Sequence, residues 1–191
     1  MAADDPIAMF SALFEQAARD HSEADAMVLS TVDPDGRPSA RYVLLKGVDG
    51  RGFVFYTNLE SRKARAMAAH PHAALTFYWP PATQVRIEGD VERVSDAEAD
   101  AYFVTRPHDS QIGAWASRQS AALASRADLD SRVAAVEARF ANAPVTRPSF
   151  WTGFRVVPQS IEFWTRDPAR LHDRAIFRRS GGGWTRALLF P

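Results

Sequence analysis

The sequence predicts a mainly β (α+β) fold, an antiparallel β-barrel with peripheral helices. Three features of the chain lead there. Short apolar segments alternate with turn signals along most of its length, aromatic and β-branched residues concentrate in those segments, and only a few stretches carry helical periodicity. With 191 residues, 46% of them apolar, one core is affordable, so a single domain spanning 1–191 is expected.

Asp5-Pro6 reads as an N-cap with Pro at the first helical position, and Ile7, Phe10, Leu13, Phe14 and Ala17 form the apolar stripe behind it. Segments 26–32 and 39–46 flank Asp33-Pro-Asp-Gly36 as a hairpin, and Asp49-Gly50 turns the chain into 52–57. These three strands are expected to form an antiparallel meander. Residues 61–69 read as a short helix stopped by His70-Pro71, and 73–79 and 83–94 as strands around Pro80-Pro81. Ser95-Asp-Ala-Glu98 is a capping box for a helix running toward Arg106 and ended by Pro107. Residues 109–120 read as irregular or as a short helix. A helix over 127–141 carries Leu129, Val133, Val136 and Phe140 on one face. Segments 150–157, 160–165, 171–178 and 184–189 return to strands, with Arg166-Asp-Pro-Ala169 and Ser180-Gly-Gly-Gly183 as turns.

Zero net charge removes any global field toward nucleic acid or an anionic membrane, so an anion site has to be local. The absence of Cys excludes disulfides, thiolate nucleophiles and Cys-ligated zinc. The acidic start Met1-Ala-Ala-Asp-Asp5 lacks the pattern of a secretory signal, and no apolar run exceeds four residues. A cytoplasmic protein without metal, nucleic acid or membrane partner is the expectation.

The most informative stretch is Gly52-Phe-Val-Phe-Tyr-Thr-Asn-Leu-Glu-Ser-Arg-Lys63, where an aromatic strand runs into the start of a helix. Tyr56 and Thr57 offer hydroxyls, while Arg62 and Lys63 put cations at a helix N-terminus, where the dipole is already positive. An anionic partner such as a phosphate resolves that conflict; a plain Ser61 N-cap with a solvated first turn is the bland alternative. Lys46 and Lys63 are the only lysines, against 21 arginines, and both lie at element edges near this stretch.

In Arg41-Tyr-Val-Leu-Leu-Lys46, strand alternation puts Arg41 and Lys46 on opposite faces. A straight strand then cannot aim both into one simple pocket, which leaves two neighbouring ligands, a site shared between subunits, or an edge strand with charged ends. Tyr102, Arg106 and Ser110 make a plausible phosphate cup, unless Arg106 merely caps the last carbonyls of its helix. In Arg170-Leu-His-Asp-Arg174, a strand places Arg170, His172 and Arg174 on one face, with Trp164 nearby. His70-Pro-His72 shows no metal-ligand spacing, and no Gly-rich phosphate loop occurs.

Taken in order, these segments resemble the pyridoxamine/pyridoxine 5′-phosphate oxidase family from about Asp5 to the C-terminus. The matching pieces are Arg41-Tyr-Val-Leu-Leu-Lys46, Phe55-Tyr-Thr-Asn58 with Ser61-Arg-Lys63, Arg106-Pro-His-Asp-Ser-Gln-Ile-Gly-Ala-Trp115, Ser117-Arg-Gln-Ser120, Phe150-Trp151, Ile161-Glu-Phe-Trp164 and Arg170-Leu-His-Asp-Arg174. The resemblance implies a homodimeric split β-barrel with FMN at the subunit interface. It assigns Arg41, Lys46, Tyr56, Thr57, Arg62, Lys63, Gln84, Gln119, Ser120, Trp164 and Arg174 to the cofactor. Lys46, Tyr102, Arg106 and Ser110 would hold the substrate phosphate, and Arg170 and His172 would contact the pyridine ring as the catalytic pair.

The implied reaction oxidises pyridoxamine or pyridoxine 5′-phosphate to pyridoxal 5′-phosphate, by hydride transfer from C4′ to flavin N5, with O2 as acceptor and H2O2 released. A phenazine-type oxidase and a non-catalytic flavin-binding split barrel are the alternatives. Three departures from the family pattern stand out. The stretch before the first helix is shorter than the usual arm, so the lid is expected to be absent or trimmed. Thr83 occupies a position where the family often has a basic residue, in a loop one residue short, and Leu188 stands where Arg is common.

Overall fold

The computed structural model describes residues 5–191; the acidic start at residues 1–4 lies outside the described residues. Helix α1 (Pro6–Asp20) opens with Asp5 accepting from the Ile7 N–H at 2.9 Å and Pro6 in its first turn. Strands β1 (Ala26–Val32) and β2 (Pro38–Leu44) pair antiparallel around the expected turn, where Gly36 takes φ +83 and donates to the Asp33 carbonyl. Strands β3 (Gly47–Asp49) and β4 (Gly52–Asn58) follow, then α2 (Arg62–Ala69), β5 (His72–Trp79) and β6 (Thr83–Arg93). Helices α3 (Asp96–Phe103), α4 (His108–Ala116) and α5 (Arg126–Phe140) precede β7 (Trp151–Thr165), β8 (Asp173–Ser180) and β9 (Gly183–Leu188).

All nine strands join one antiparallel sheet in the order β2-β1-β5-β6-β7-β4-β3, with β8 on the far half of β7 and β9 beyond it. Strands β2 and β4 approach each other without pairing, which leaves a barrel split along that seam. The fold is therefore the expected antiparallel split β-barrel with peripheral helices.

The expected meander of the first three strands is wrong. After β2 the chain leaves β1 and pairs β4 with β3 and β7. A turn signal such as Asp49-Gly50 fixes a reversal but not the neighbour, and β7 supplies six aligned partners that the adjacent β2 does not. The two strands expected over 150–165 are one strand of 15 residues. Its first part pairs with β4 and its last part with β8, and Pro158 falls in the gap between those partners. Opposite Pro158 the register shifts at Glu88/Gly89, and a Cβ on Gly89 would stand 2.1 Å from the Val157 carbonyl oxygen. Residues 108–116 take the helical alternative.

The barrel interior is aromatic. Phe10 of α1 meets Phe53 edge-on at 4.8 Å and Phe77 at 4.9 Å, and Met27, Leu29, Leu75, Ile87 and Val156 are fully buried around them. A second cluster joins Phe103, Ile112, Val145 and Trp151, and the α5 face carrying Val133, Val136 and Phe140 rests on it half-buried. No described helix is long and apolar enough to cross a membrane.

Candidate active site

The split opens into a cavity of about 500 Å³ walled by β2, the end of β4, α2, α3, α4 and the start of β7. Arg41, Lys46, Lys63 and Arg106 all line it, together with Tyr56, Thr57, Tyr102, Ser110 and Gln119. Among the described residues no carboxylate lines it. A chain of zero net charge thus concentrates four cations in one crevice. The sequence expectation that Arg41 and Lys46 cannot share a pocket fails, because β2 stops at Leu44 and Lys46 lies beyond the alternation. There its backbone N–H turns to the Val54 carbonyl of β4.

Each cation is held differently. Arg41 points inward and donates only to neutral acceptors: Leu29 and Ser39 carbonyls at 3.1 and 2.9 Å, Thr31 Oγ1 at 2.8 Å and Ser39 Oγ at 2.6 Å. Lys63 reaches Thr57 Oγ1 and Gln119 Oε1, both at 3.1 Å, and these two partners also bond each other at 2.9 Å. Burial lowers the pKa of Lys63, and the Arg41 charge adds to it. Arg106 is held by planar contacts, its guanidinium 4.8 Å over Trp151 and 5.7 Å from Phe103. Its Nη1 is buried without a hydrogen-bond partner, and burial lowers its pKa. A desolvated guanidinium nitrogen without a partner, on a side chain that lines a cationic crevice, has the chemistry of an anion site. Lys46 instead pairs with Asp25 at 2.7 Å.

Arg106 does not cap its helix. That task falls to Gln111, whose Nε2 donates to the carbonyls of Phe103, Val104 and Arg106 and so frees the guanidinium. Tyr102 and Tyr56 stack at 4.0 Å, and Tyr56 lies parallel to Trp151 at 5.1 Å, so the wall beside Arg106 is a bank of flat rings. The bank exists because Gly153 pairs with Tyr56 across the strands. A Cβ at Gly153 would stand 2.7 Å from the Tyr56 ring and from Val94 Cγ2.

At the α2 N-terminus, Ser61 is buried and accepts from the Ala64 N–H at 3.3 Å. Arg62 turns away from the cavity lining to the buried Asp33, with Nε to Oδ2 at 3.0 Å, and its backbone N–H donates to Ser120 Oγ at 3.2 Å. The anionic partner expected there is thus, for Arg62, an internal carboxylate. In the sequence Asp33 carries only a turn signal; a carboxylate that begins a hairpin gives no sign that it will meet a residue 29 positions on.

The remaining expected site residues form a separate group on the sheet. Gln84, Trp164 and Arg174 sit side by side across β6, β7 and β8, and the His172 ring lies 4.6 Å from that of Trp164. The expectation that Arg170, His172 and Arg174 share a strand face is corrected, since β8 begins at Asp173. Asp167 organises the loop instead, accepting from the Ala169 and Leu171 N–H groups, while its own N–H donates to His172 Nδ1 at 3.1 Å. Arg170 is exposed with φ +68, and Ser120 has φ +70. They are the only non-glycine residues in that region among those described, and such conformations cluster at functional sites. Arg174 is paired with Glu162 at 2.7 Å and with the Phe190 carbonyl at 3.0 Å. Elsewhere, His72 finds a carboxylate that its sequence neighbourhood did not reveal, Asp90 on the adjacent strand at 2.9 Å.

Residues 14–140 match the family described as pyridoxamine 5′-phosphate oxidase, and residues 151–191 match the pyridoxine 5′-phosphate oxidase C-terminal dimerisation region. The chain belongs to the pyridoxamine 5′-phosphate oxidase family. A pyridoxine/pyridoxamine 5′-phosphate oxidase of Myxococcus xanthus is 59% identical over 98% of this chain and 92% of its own length. One from Azorhizobium caulinodans is 55% identical over all of this chain and 92% of its own length. Among solved structures, PhzG from Burkholderia lata in complex with tetrahydrophenazine-1-carboxylic acid superposes with TM-score 0.92 at 29% identity, covering 98% of this chain and 93% of that one. An FMN-binding relative from Nostoc punctiforme shares the fold at TM-score 0.78 and 18% identity. The family's dimerisation region contains Trp164, Arg170, His172 and Arg174, which supports a homodimer.

Proposed function

We propose that this protein is an FMN-dependent oxidase that converts pyridoxamine 5′-phosphate or pyridoxine 5′-phosphate to pyridoxal 5′-phosphate, using O2 and releasing H2O2. The observation that carries the reading is the carboxylate-free crevice lined by four cations, with Arg106 Nη1 buried and unpaired. Both proposed ligands bear phosphate esters, and the donor set fits two of them. Arg41 and Lys63, aided by Thr57 and Gln119, hold the cofactor phosphate; Lys46, Tyr102, Arg106 and Ser110 hold the substrate phosphate. Bound FMN supplies the hydride acceptor, a capacity no side chain has.

The protein's share is orientation. Productive transfer needs the reacting atoms at roughly 3–3.5 Å, so anchoring the substrate phosphate fixes the distance of its ring from the flavin. Arg170 steers the ring and His172, backed by Trp164, hydrogen-bonds its substituents. We place the cofactor at the interface of a homodimer, with the Gln84–Trp164–Arg174 group contributed from the partner's side. Residues 1–191 act as one domain, in keeping with a single sheet that takes strands from both family segments.

Anaerobic addition of pyridoxamine 5′-phosphate to the FMN-loaded protein is expected to bleach the flavin bands, and admission of O2 to restore them with uptake of oxygen. Oxygen uptake no faster than buffer, with FMN fully loaded, would overturn the proposal. The likeness to PhzG motivates a second reading, oxidation of an unphosphorylated tricyclic ring. Faster turnover of such a ring than of the phosphorylated pyridine would favour it.

A further inference from the structure

The phosphate end of the cavity depends on α3, which carries Tyr102 and leads into Arg106, yet only Ala99 and Phe103 of this helix are buried. Apolar burial of that size holds a two-turn helix weakly. Ion pairs to two largely buried arginine side chains add to the attachment. Arg147 donates from Nε to Asp100 at 2.6 Å, from Nη2 to Asp96 at 2.7 Å and from Nη1 to the Trp151 carbonyl at 2.8 Å. Arg155 donates from Nη2 to Glu98 at 2.9 Å, with Glu92 and Asp49 at 3.6 and 3.7 Å. Arg51 ties the same Glu98 to Asp49. The two guanidinium side chains are 10% and 3% exposed, whereas Asp96 and Asp100 are 87% and 61% exposed.

All three carboxylates of α3 are thus engaged. The two arginines sit four residues either side of Trp151, the ring that stacks on Tyr56 and lies under Arg106. We propose that Arg147 is a positioning residue for the substrate phosphate, clasping α3 to the cavity wall beside the Arg155–Glu98 pair and so fixing where Tyr102 and Arg106 stand. The identity of the ligand rests on the function proposed above; the clasp itself does not.

The test uses the exposed side of the clasp, where substitution leaves the core untouched: Asp96→Asn with Asp100→Asn, and Asp100→Asn alone should the pair not fold. Hydrogen exchange on the ligand-free protein is expected to quicken about tenfold over residues 99–106 and to stay unchanged over 26–32. In the loaded enzyme, KM for pyridoxamine 5′-phosphate is expected to rise about tenfold, with kcat and the Kd for FMN within about twofold. A general loss of structure would instead speed exchange in both segments and weaken FMN alongside substrate, which overturns the proposal, as does unaltered exchange over 99–106. A wild-type protein that fails to oxidise the substrate sinks the functional reading alone, because the exchange result still judges the clasp.

Discussion

The cavity and the Gln84–Trp164–Arg174 group differ in what completes them. The cavity is enclosed by six elements of one chain, and its charges are buried enough that desolvation lowers the pKa of Arg41, Lys63 and Arg106 alike. The sheet group is half-buried, its Trp164 and Arg174 fall in the segment matching the family's dimerisation region, and Arg174 is already neutralised by Glu162. One region has three cations without a carboxylate partner beside the Lys46–Asp25 pair; the other has a surface without a cover. A protomer that builds the anion seat alone but leaves open the residues proposed to contact the ring suits a site closed by a second copy.

The largest expected effect tests the first half of that contrast. Arg106→Met keeps the packing against Trp151 and removes the unpaired donor. KM for the phosphorylated substrate is expected to rise roughly a hundredfold, about 3 kcal/mol, the upper range for a hydrogen bond to a charged group. Turnover of unphosphorylated pyridoxine, measured in parallel, is expected to change little. Equal losses on both substrates would remove Arg106 from the phosphate seat.

The second half is tested by mixing. Arg106→Met and Arg170→Ala are each expected to be poorly active while keeping the yellow colour. If each site draws its cavity from one subunit and its Arg170 from the other, co-refolding equal amounts places one intact site in each heterodimer. Activity then recovers to about a quarter of wild type, since half the dimers are mixed and each has one working site. Steady-state assay of the refolded mixture decides it; no recovery beyond the sum of the parents would put all contributing residues in one chain.

The same contrast governs what the sequence revealed. Periodicity and caps located α1, α2, α3 and α5, since a capping box or an apolar stripe is a local property that folding does not rewrite. Pairing is not local: β4 beside β7 joins residues about a hundred positions apart, and nothing in 52–57 names that partner. At the site, Lys63 stands out as a cation at the positive end of a helix and Arg106 as a member of a candidate phosphate cup, and among the described residues neither has a carboxylate partner. The silent contributors were those whose role is to answer another residue. Asp33 answers Arg62, Gln111 does the capping that was the alternative role for Arg106, and Gly153 clears space for Tyr56. For Arg170 and His172 the strand assignment failed because Asp167 ties the loop locally before the ladder begins, an Asx turn winning over alternation.

The smallest effect concerns pH, and it separates the buried seat from the exposed group. Burial holds the pKa of Lys63 below its ordinary value, with Arg41 assisting, whereas in the unfolded chain the ordinary value returns. Between those two values the unfolded state binds more protons, so the contribution of Lys63 to stability rises with pH there. Ligand binding runs the other way. A phosphate placed beside Lys63 favours the charged form and raises its pKa, so binding takes up a proton across the same window. The phosphate is itself a dianion well above its second pKa of about 6 and contributes no opposing slope. Affinity for FMN is therefore expected to weaken severalfold as pH climbs through the lowered pKa of Lys63, by at most about tenfold per unit. Arginine stays charged throughout, so Lys63→Arg is expected to flatten the profile while keeping binding near neutral pH. Flavin fluorescence titrations between about pH 7 and 10 measure both curves. If wild type and Lys63→Arg decline in parallel, the proton belongs to another group and Lys63 is not in contact with the cofactor phosphate.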